Sequence, residues 1–413
     1  DIMSTIYRMI QEEPPVVAIY APLGDLDPRY RDPEVRQMLR QMGQEIPERP
    51  DNYKSIVQIL TQEGYDARRI ELTESDPIPE GTKTLLVMAT DPLNDRQKYE
   101  IERFIAGGGH ALFAVQEYNY DYAPDSKGGM RVMPMRTNQN ANDLLMDYGL
   151  WVEDRILMDQ SMETLNIPVR QMIGGMIPAM VDRPVQVPVQ IRLTSNNMNQ
   201  DFSVTNRISS LLYLWGTALD IHDEIVDSLE LKVDNLIWSS DKSWTIPGKT
   251  SPLKPEDVDL TQHELEPNLP LGVMVNGQFP DNYAGKPVPV WPGTAEEEGV
   301  ETIAEPVEGA PSKVVLYGCA EIFSDRLLNA FGNGLLFLNS VDALTLGEDL
   351  ISIRSKFSTI RYIDEVSSGG KLFWRFATIF LVPILFIIYG IIKFMLRRKK
   401  REDYMKTVEA MGN

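Results

Sequence analysis

The chain has 413 residues, 43% hydrophobic and 24% charged, a composition that excludes wholesale disorder. One cysteine excludes a disulfide framework and a Cys-rich zinc module, and three histidines leave few ways to build a His-based metal site. The formal net charge of −20 argues against nucleic acid as a partner, because affinity for phosphate backbones comes from Lys and Arg.

The first stretch, Asp1 to Gln11, sets Ile2, Ile6, Met9 and Ile10 on one helical face. Asp1 is not a Met, and no apolar signal region precedes Pro14. The chain is therefore expected to begin inside a larger polypeptide that carries an export signal or an earlier membrane span. After Pro14-Pro15, the β-branched run Val16–Tyr20 predicts a buried parallel strand. Residues 53–63 carry a helical stripe at Tyr53, Ile56, Val57 and Leu60, ended by Gly64. Strands are predicted at Tyr65–Leu72, Thr84–Ala89 and His110–Val115, with a helix at Arg96–Ala106 closed by Gly107–Gly109. Another helix is predicted at Asn140–Tyr148. Strands alternating with helices predict an α/β layer with a mostly parallel sheet.

From about 150 to 250 the pattern becomes β-rich. Strands are predicted at Arg155–Met158, Val185–Ile191, Leu211–Trp215 and Leu229–Val233. Residues 161–183, rich in Met, Gly and Pro, have no clear period and read as a loop rather than a contact surface. Ten prolines and the cluster Glu296–Glu298 make residues 251–311 partly linker-like, interrupted by a predicted strand at Leu271–Phe279. A buried strand at Lys313–Cys319 and a helix near Leu335–Leu346 follow.

The C-terminal end differs in kind. Residues 371–413 hold nine Lys/Arg and three Asp/Glu, a net of +6, which leaves −26 on residues 1–370. Phe376 to Ile392 is 17 residues without a charge, and counting through Leu396 gives 21. At 1.5 Å per residue that is about 30 Å, the thickness of a bilayer core. Trp374 sits at the depth that indole rings favour, and Pro383 and Gly390 are tolerated in spans. Arg397, Arg398, Lys399, Lys400 and Arg401 form a stop-transfer flank that places the tail in the cytoplasm. The acidic body is then extracytoplasmic, periplasmic in a bacterial inner membrane.

Tests for chemistry return little. Ser243–Thr250 approaches a phosphate-binding loop, but Ser243 replaces the first glycine and Pro247 sits inside it. Pro252 and Pro255 then stand where a helix must begin. Cys319 ends a strand, yet the sequence brings neither His110, His222 nor His263 to it, so a packing role fits better than a nucleophile. Asp220–Glu224 reads as a solvated acidic turn rather than a metal site. No catalytic, cofactor-binding or metal residue is assigned.

Three late segments carry a resemblance: Lys313–Asp325, Gly334–Leu344 and Leu350–Lys356. With Pro15–Tyr20, Thr84–Thr90, Asp95–Phe104, Gly107–Phe113 and Pro270–Gly277, their order resembles the GldG family. These are auxiliary components of ABC-type transport systems linked to gliding motility. The motif residues here are Gly318, Asp325, Asn339, Arg354 and Lys356, expected to be structural. The resemblance implies an amidotransferase-like and intraflagellar-transport-like α/β domain, an ABC-2-type permease and a cytoplasmic ATPase as partners, and no catalytic residues.

The expected organisation is a helical lead-in (1–13), a first α/β part (14–150), a β-rich extension (151–250) and a Pro-rich linker with a strand (251–312). A closing α/β segment (313–370), one transmembrane helix (371–396) and a basic tail (397–413) complete it. The expected function is a non-enzymatic, membrane-anchored ABC transport subunit. The alternatives are a self-associating envelope or motility scaffold, which would form a homo-oligomer, and a degenerate amidotransferase-like enzyme using Cys319 and His110.

Overall fold

The computed structural model describes residues 13–24, 37–39, 49–89, 92–124, 129–173, 177–293, 302–346 and 368–411. Arg354, Lys356, the cluster Glu296–Glu298 and all of the lead-in but Glu13 lie outside them. The chain falls into two units, Asp1–Thr359 and Ile360–Asn413.

The first unit begins with β1 (Val16–Tyr20), α1 (Lys54–Gln62), β2 (Asp66–Ile70), β3 (Thr82–Met88), α2 (Asp95–Ala106) and β4 (His110–Ala114). A hairpin of β5 (Tyr118–Pro124) and β6 (Met130–Arg136) follows, then α3 (Asn142–Leu145), β7 (Leu150–Val152) and β8 (Arg155–Asp159). Next come β9 (Leu165–Ile173), β10 (Ile177–Val185), β11 (Gln190–Thr194), β12 (Ser210–Leu214) and β13 (Leu219–Ile221). After α4 (Asp223–Ser228) come β14 (Lys232–Trp238), β15 (Ser243–Pro247), α5 (Pro255–Val258), β16 (Pro270–Gly277), β17 (Ser312–Tyr317) and α6 (Asn333–Thr345).

Seven strands form one sheet in the order β14-β16-β17-β4-β3-β1-β2. The four pairings from β17 to β2 are parallel, and β16 runs antiparallel to both its neighbours. Both faces are buried, as a parallel sheet requires. Along β1, Val17 and Ile19 enter one core with Leu86, Leu112 and Val315. Ala18 and Tyr20 enter the other with Leu85, Phe113 and Leu316. Ile56 and Leu60 of α1 and Phe337 and Val341 of α6 cover the first face. Ile101 and Ile105 of α2 and Leu144 of α3 cover the second. A third cluster, around Tyr120, Ile156, Leu212 and Trp244, fills the β-rich part.

Four local expectations need correction. Residues 161–183 are mostly strand: β9 and β10 pair antiparallel from Leu165–Val185 to Ile173–Ile177. The hairpin is closed by cross-strand backbone bonds, which the Met/Gly/Pro composition does not advertise. Val185–Ile191 is not one strand, because β10 stops at Val185 and β11 starts at Gln190, whose N–H donates to Val187 O at 2.9 Å. Pro188 has no N–H to offer a ladder and sits in that turn. Asp220–Glu224 is the junction of β13 and α4, with Asp223 and Glu224 in the first helical turn, where carboxylates complement the helix dipole. The strand expected at Leu229–Val233 starts later, at Lys232, because its register is set by pairing with β16. That pairing also ties the β-rich extension to the main sheet.

The second unit contains α7 (Ser368–Met411). The one transmembrane helix expected over residues 371–396 falls within this element. Among the described residues no single helix is long and apolar enough to cross a membrane, and only the pair Phe373–Leu381 and Pro383–Arg401, bent by 43°, passes together. Pro383 lies inside the helix, where it removes an N–H and clashes with the carbonyl one turn earlier. Beyond the bend the uncharged stretch is short, since Lys393 and Arg397 follow within four turns. Trp374, Phe376 and Leu396 are exposed on this helix.

Gly272 of β16 packs against its neighbours so closely that a Cβ would lie 2.5 Å from the Tyr317 ring and 2.8 Å from Ile237. Overpacking of this kind costs about 1–3 kcal/mol. Gly272→Ala should lower the urea midpoint of the purified chain accordingly; an unchanged midpoint would contradict the described sheet packing.

Candidate functional site

In open α/β sheets, ligands bind beyond the carboxyl ends of parallel strands, where the strand order reverses direction. Here that point lies between β1 and β3: the chain passes from β1 to β2 on one side, then returns to β3 on the other. A cleft of about 400 Å³ opens there. Pro22, Leu23 and Gly24 follow β1, Ala89 follows β3, Gln116 follows β4, and Ala320 and Glu321 follow β17. Asn119 and Met135–Gln139, from the β5–β6 hairpin and the residues after it, form the remaining wall with Asn52 and Tyr53.

Gln116 ties these pieces together. Its Oε1 accepts from Ala320 N at 2.8 Å and Glu321 N at 3.1 Å. Its Nε2 donates to Tyr118 O at 3.0 Å and Asn119 Oδ1 at 2.7 Å. The buried Tyr53 hydroxyl donates to Ala320 O at 3.1 Å. Thr137 Oγ1 donates to Gln116 O at 2.7 Å and Gln139 Nε2 to Glu117 Oε1 at 2.7 Å. Burial pushes the Glu117 carboxyl up, while its bond from Gln139 and the Arg136 charge oppose that. Arg136 reaches Asp154 at 2.8 Å and Arg326 reaches Glu321 at 2.9 Å, while Arg49 Nε donates to Gly24 O at 3.0 Å at the rim. Ala89 (φ 41°) and Asn138 (φ 57°) are left-handed non-glycine residues lining it, the kind of strain found at functional sites. The cleft is thus polar and carboxamide-rich, with groups suited to hydrogen bonding.

The sequence motifs fall around this edge. Gly318 follows β17, where a Cβ would lie 2.4 Å from Thr217 O. Asp325 Oδ1 accepts from Ser55 N at 2.8 Å, capping α1 from a distant part of the chain, because Tyr53 at the N-cap offers no side-chain acceptor. Asn339 Nδ2 donates to Val204 O at 2.9 Å inside the core. All three bond or abut backbone, and none lines the cleft. Arg397–Arg401 lie exposed on α7.

Cys319 and His110 are not brought together. β17 and β4 run in parallel with Val314 opposite Ala111, so the two side chains lie at opposite ends of the sheet, roughly 20 Å apart at the strand rise. Cys319 is fully buried, not half-buried, and its Sγ donates to Leu214 O at 3.2 Å. His110 Nδ1 accepts from Lys313 N at 3.1 Å, and burial lowers its pKa, aided by the charges of Lys313 and Lys83. Ser243–Pro247 is strand β15, paired with β8, and so is no loop for phosphate. Among the described residues no group of three or more His, Cys, Asp and Glu side chains converges to hold a metal ion. The cleft residues carry no motif spacing; the one available signal was their position just after Tyr20, Met88 and Ala114.

The fold is thus an open α/β sheet with a polar cleft at its switch point. The chain belongs to the family described as ABC-type uncharacterized transport system, which it matches over residues 14–340. This is the family of the auxiliary component, in agreement with the GldG-like motifs. No curated protein matches the chain. Two solved structures are similar: the mmIFT52 N-terminal domain, 12% identical with TM-score 0.37, covers 73% of this chain and 93% of its own. A ThuA-like protein from Bacteroides uniformis, 10% identical with TM-score 0.33, covers 81% and 93%. At these TM-scores neither likeness carries an argument.

Burial raises the Cys319 thiol far above its ordinary range, with the Glu321 charge adding to it. Cys319 should therefore resist iodoacetamide at pH 8 until the protein is denatured. Alkylation of the folded chain at the rate of a free thiol would revive the nucleophile reading.

Proposed function

We propose that this auxiliary component is a non-enzymatic, membrane-anchored subunit of an ABC-2-type transport complex, associated with a permease and a separate cytoplasmic ATPase. Its acidic α/β body stands outside the membrane of a bacterial cell, and its basic tail lies in the cytoplasm. The carboxamide-lined cleft is the surface that engages a partner or the transported substrate. The observation that carries this reading is the family match across residues 14–340. Two features support the topology: the uncharged run from Phe376 to Ile392 and the five cations that follow Leu396. Five cations at one flank favour retention on the cytoplasmic side. The bend at Pro383 leaves the two helical segments to cross together, as interrupted spans do when neighbouring helices satisfy the freed carbonyls.

The reading predicts that the tagged chain, purified from its native membranes in mild detergent, brings down a polytopic permease and a nucleotide-binding subunit in fixed ratio. Repeated recovery of the chain alone, or as a homo-oligomer only, would count against it and favour the scaffold.

A further inference from the structure

Residues Phe279–Gly293 leave β16 and run as a strap along α2. The Phe279 ring meets Tyr148 edge-on at 4.9 Å, and Tyr283 meets Tyr99 at 5.1 Å. Arg103 Nη1 donates to Asp281 Oδ2 at 3.0 Å, and Arg96 donates to Pro289 O at 3.0 Å while lying 5.2 Å over the Trp291 ring. At the far end Trp291 and Pro292 wall a second cleft of about 450 Å³ against Leu72, Glu74 and Gln97.

One contact in this strap is unlike the rest. Glu102 of α2 is 3% exposed, and among the described residues its carboxylate receives a single donor, Asn282 N at 2.8 Å. A buried carboxylate with one hydrogen bond is poorly compensated. Its electrostatic surroundings add to the difficulty. Asp147, from the turn after α3, and Asp281, from the strap, both face it, and Asn282 Nδ2 donates to Asp147 at 3.2 Å. Lys286 of the strap is the cation that opposes them. Tyr148, buried beside Glu102 with a hydroxyl lacking a partner among the described residues, and Tyr283 are the remaining titratable neighbours. Arg103, on the same helix, is committed to Asp281.

We propose that Glu102 is a proton-controlled latch: protonated, it holds the strap on α2, and ionised beside Asp147 and Asp281 it releases the strap. Burial, more than the two acids, pushes the Glu102 carboxyl up to about 7. Its pKa is raised in the closed form, so the stabilisation is complete below the ordinary carboxyl value and is lost as pH rises through about 7. The latch therefore loosens progressively from the ordinary carboxyl value up to about pH 7.

The test is hydrogen exchange on the full chain in detergent, corrected for intrinsic rates, following the strap amides with β16 as internal reference. Between pH 6 and pH 8 strap exchange should rise about tenfold while β16 does not change. In Glu102→Gln the rise should vanish. Asp147→Asn, at an exposed position, removes one repelling charge and should shrink the rise and move its midpoint to lower pH. A pH-independent strap in the natural chain, an undiminished rise in Glu102→Gln, or an unmoved midpoint in Asp147→Asn would each overturn the proposal.

Discussion

The parallel pairing of β17 with β4 is the interaction on which the rest of the structure depends. Ser312 Oγ donates to Gly109 O at 2.5 Å across 203 residues of chain, and from there Val314 to Tyr317 zip beside Ala111 to Ala114. This pairing joins the first α/β stretch to the last. It carries β16 and β14 into the sheet behind it, and it lets α6 lie over a face that α1 alone would leave open. Long-range parallel pairing requires loop closure before it returns any stability, so the residues in between that do not join the sheet edge as β14 and β16 must be accommodated around it. The β-rich hairpins and the strap along α2 are how this chain does that.

The same pairing makes the cleft. Gln116 comes just after β4 and Ala320–Glu321 just after β17, so the two bonds from backbone N–H groups to Gln116 Oε1 exist only when the strands are in register. Tyr53 and Asp325 then fasten α1 to the same edge. The edge is lined by amides, and Arg136 and Arg326 beside it are held in ion pairs.

Much of the framework could be read from residues alone. Val16–Tyr20, Thr84–Ala89, His110–Val115 and Lys313–Cys319 are short apolar runs between turn signals, and each is a central strand because burial on both faces leaves no room for polar alternation. Asp95–Ala106 was legible as a helix because its stripe and closing glycines are local. What stayed hidden was whatever a distant partner decides. The β5–β6 hairpin is polar and holds Pro134, and β9–β10 is aperiodic; both are strands only because each completes the other. The start of β14 was misplaced since β16 sets its register. Asp325 stood out as a family motif, but its role as the cap of α1 depends on a contact 270 residues away. Gln116 and Glu102 have no sequence signature at all, since their importance comes from burial and from the groups facing them. The apolar end was legible as a hydrophobic segment, whereas the bend followed from Pro383 acting on a helix already formed.

The central claim is that the switch-point cleft is the recognition surface of a transport-complex subunit. A photo-crosslinking residue at Asn138, on the cleft wall, tests it directly in native membranes. The account predicts a discrete adduct with a co-resident transport component or its substrate, absent when the crosslinker is moved to exposed Glu224, which lines neither cleft. Equal labelling at both positions, or no adduct at Asn138, would contradict it.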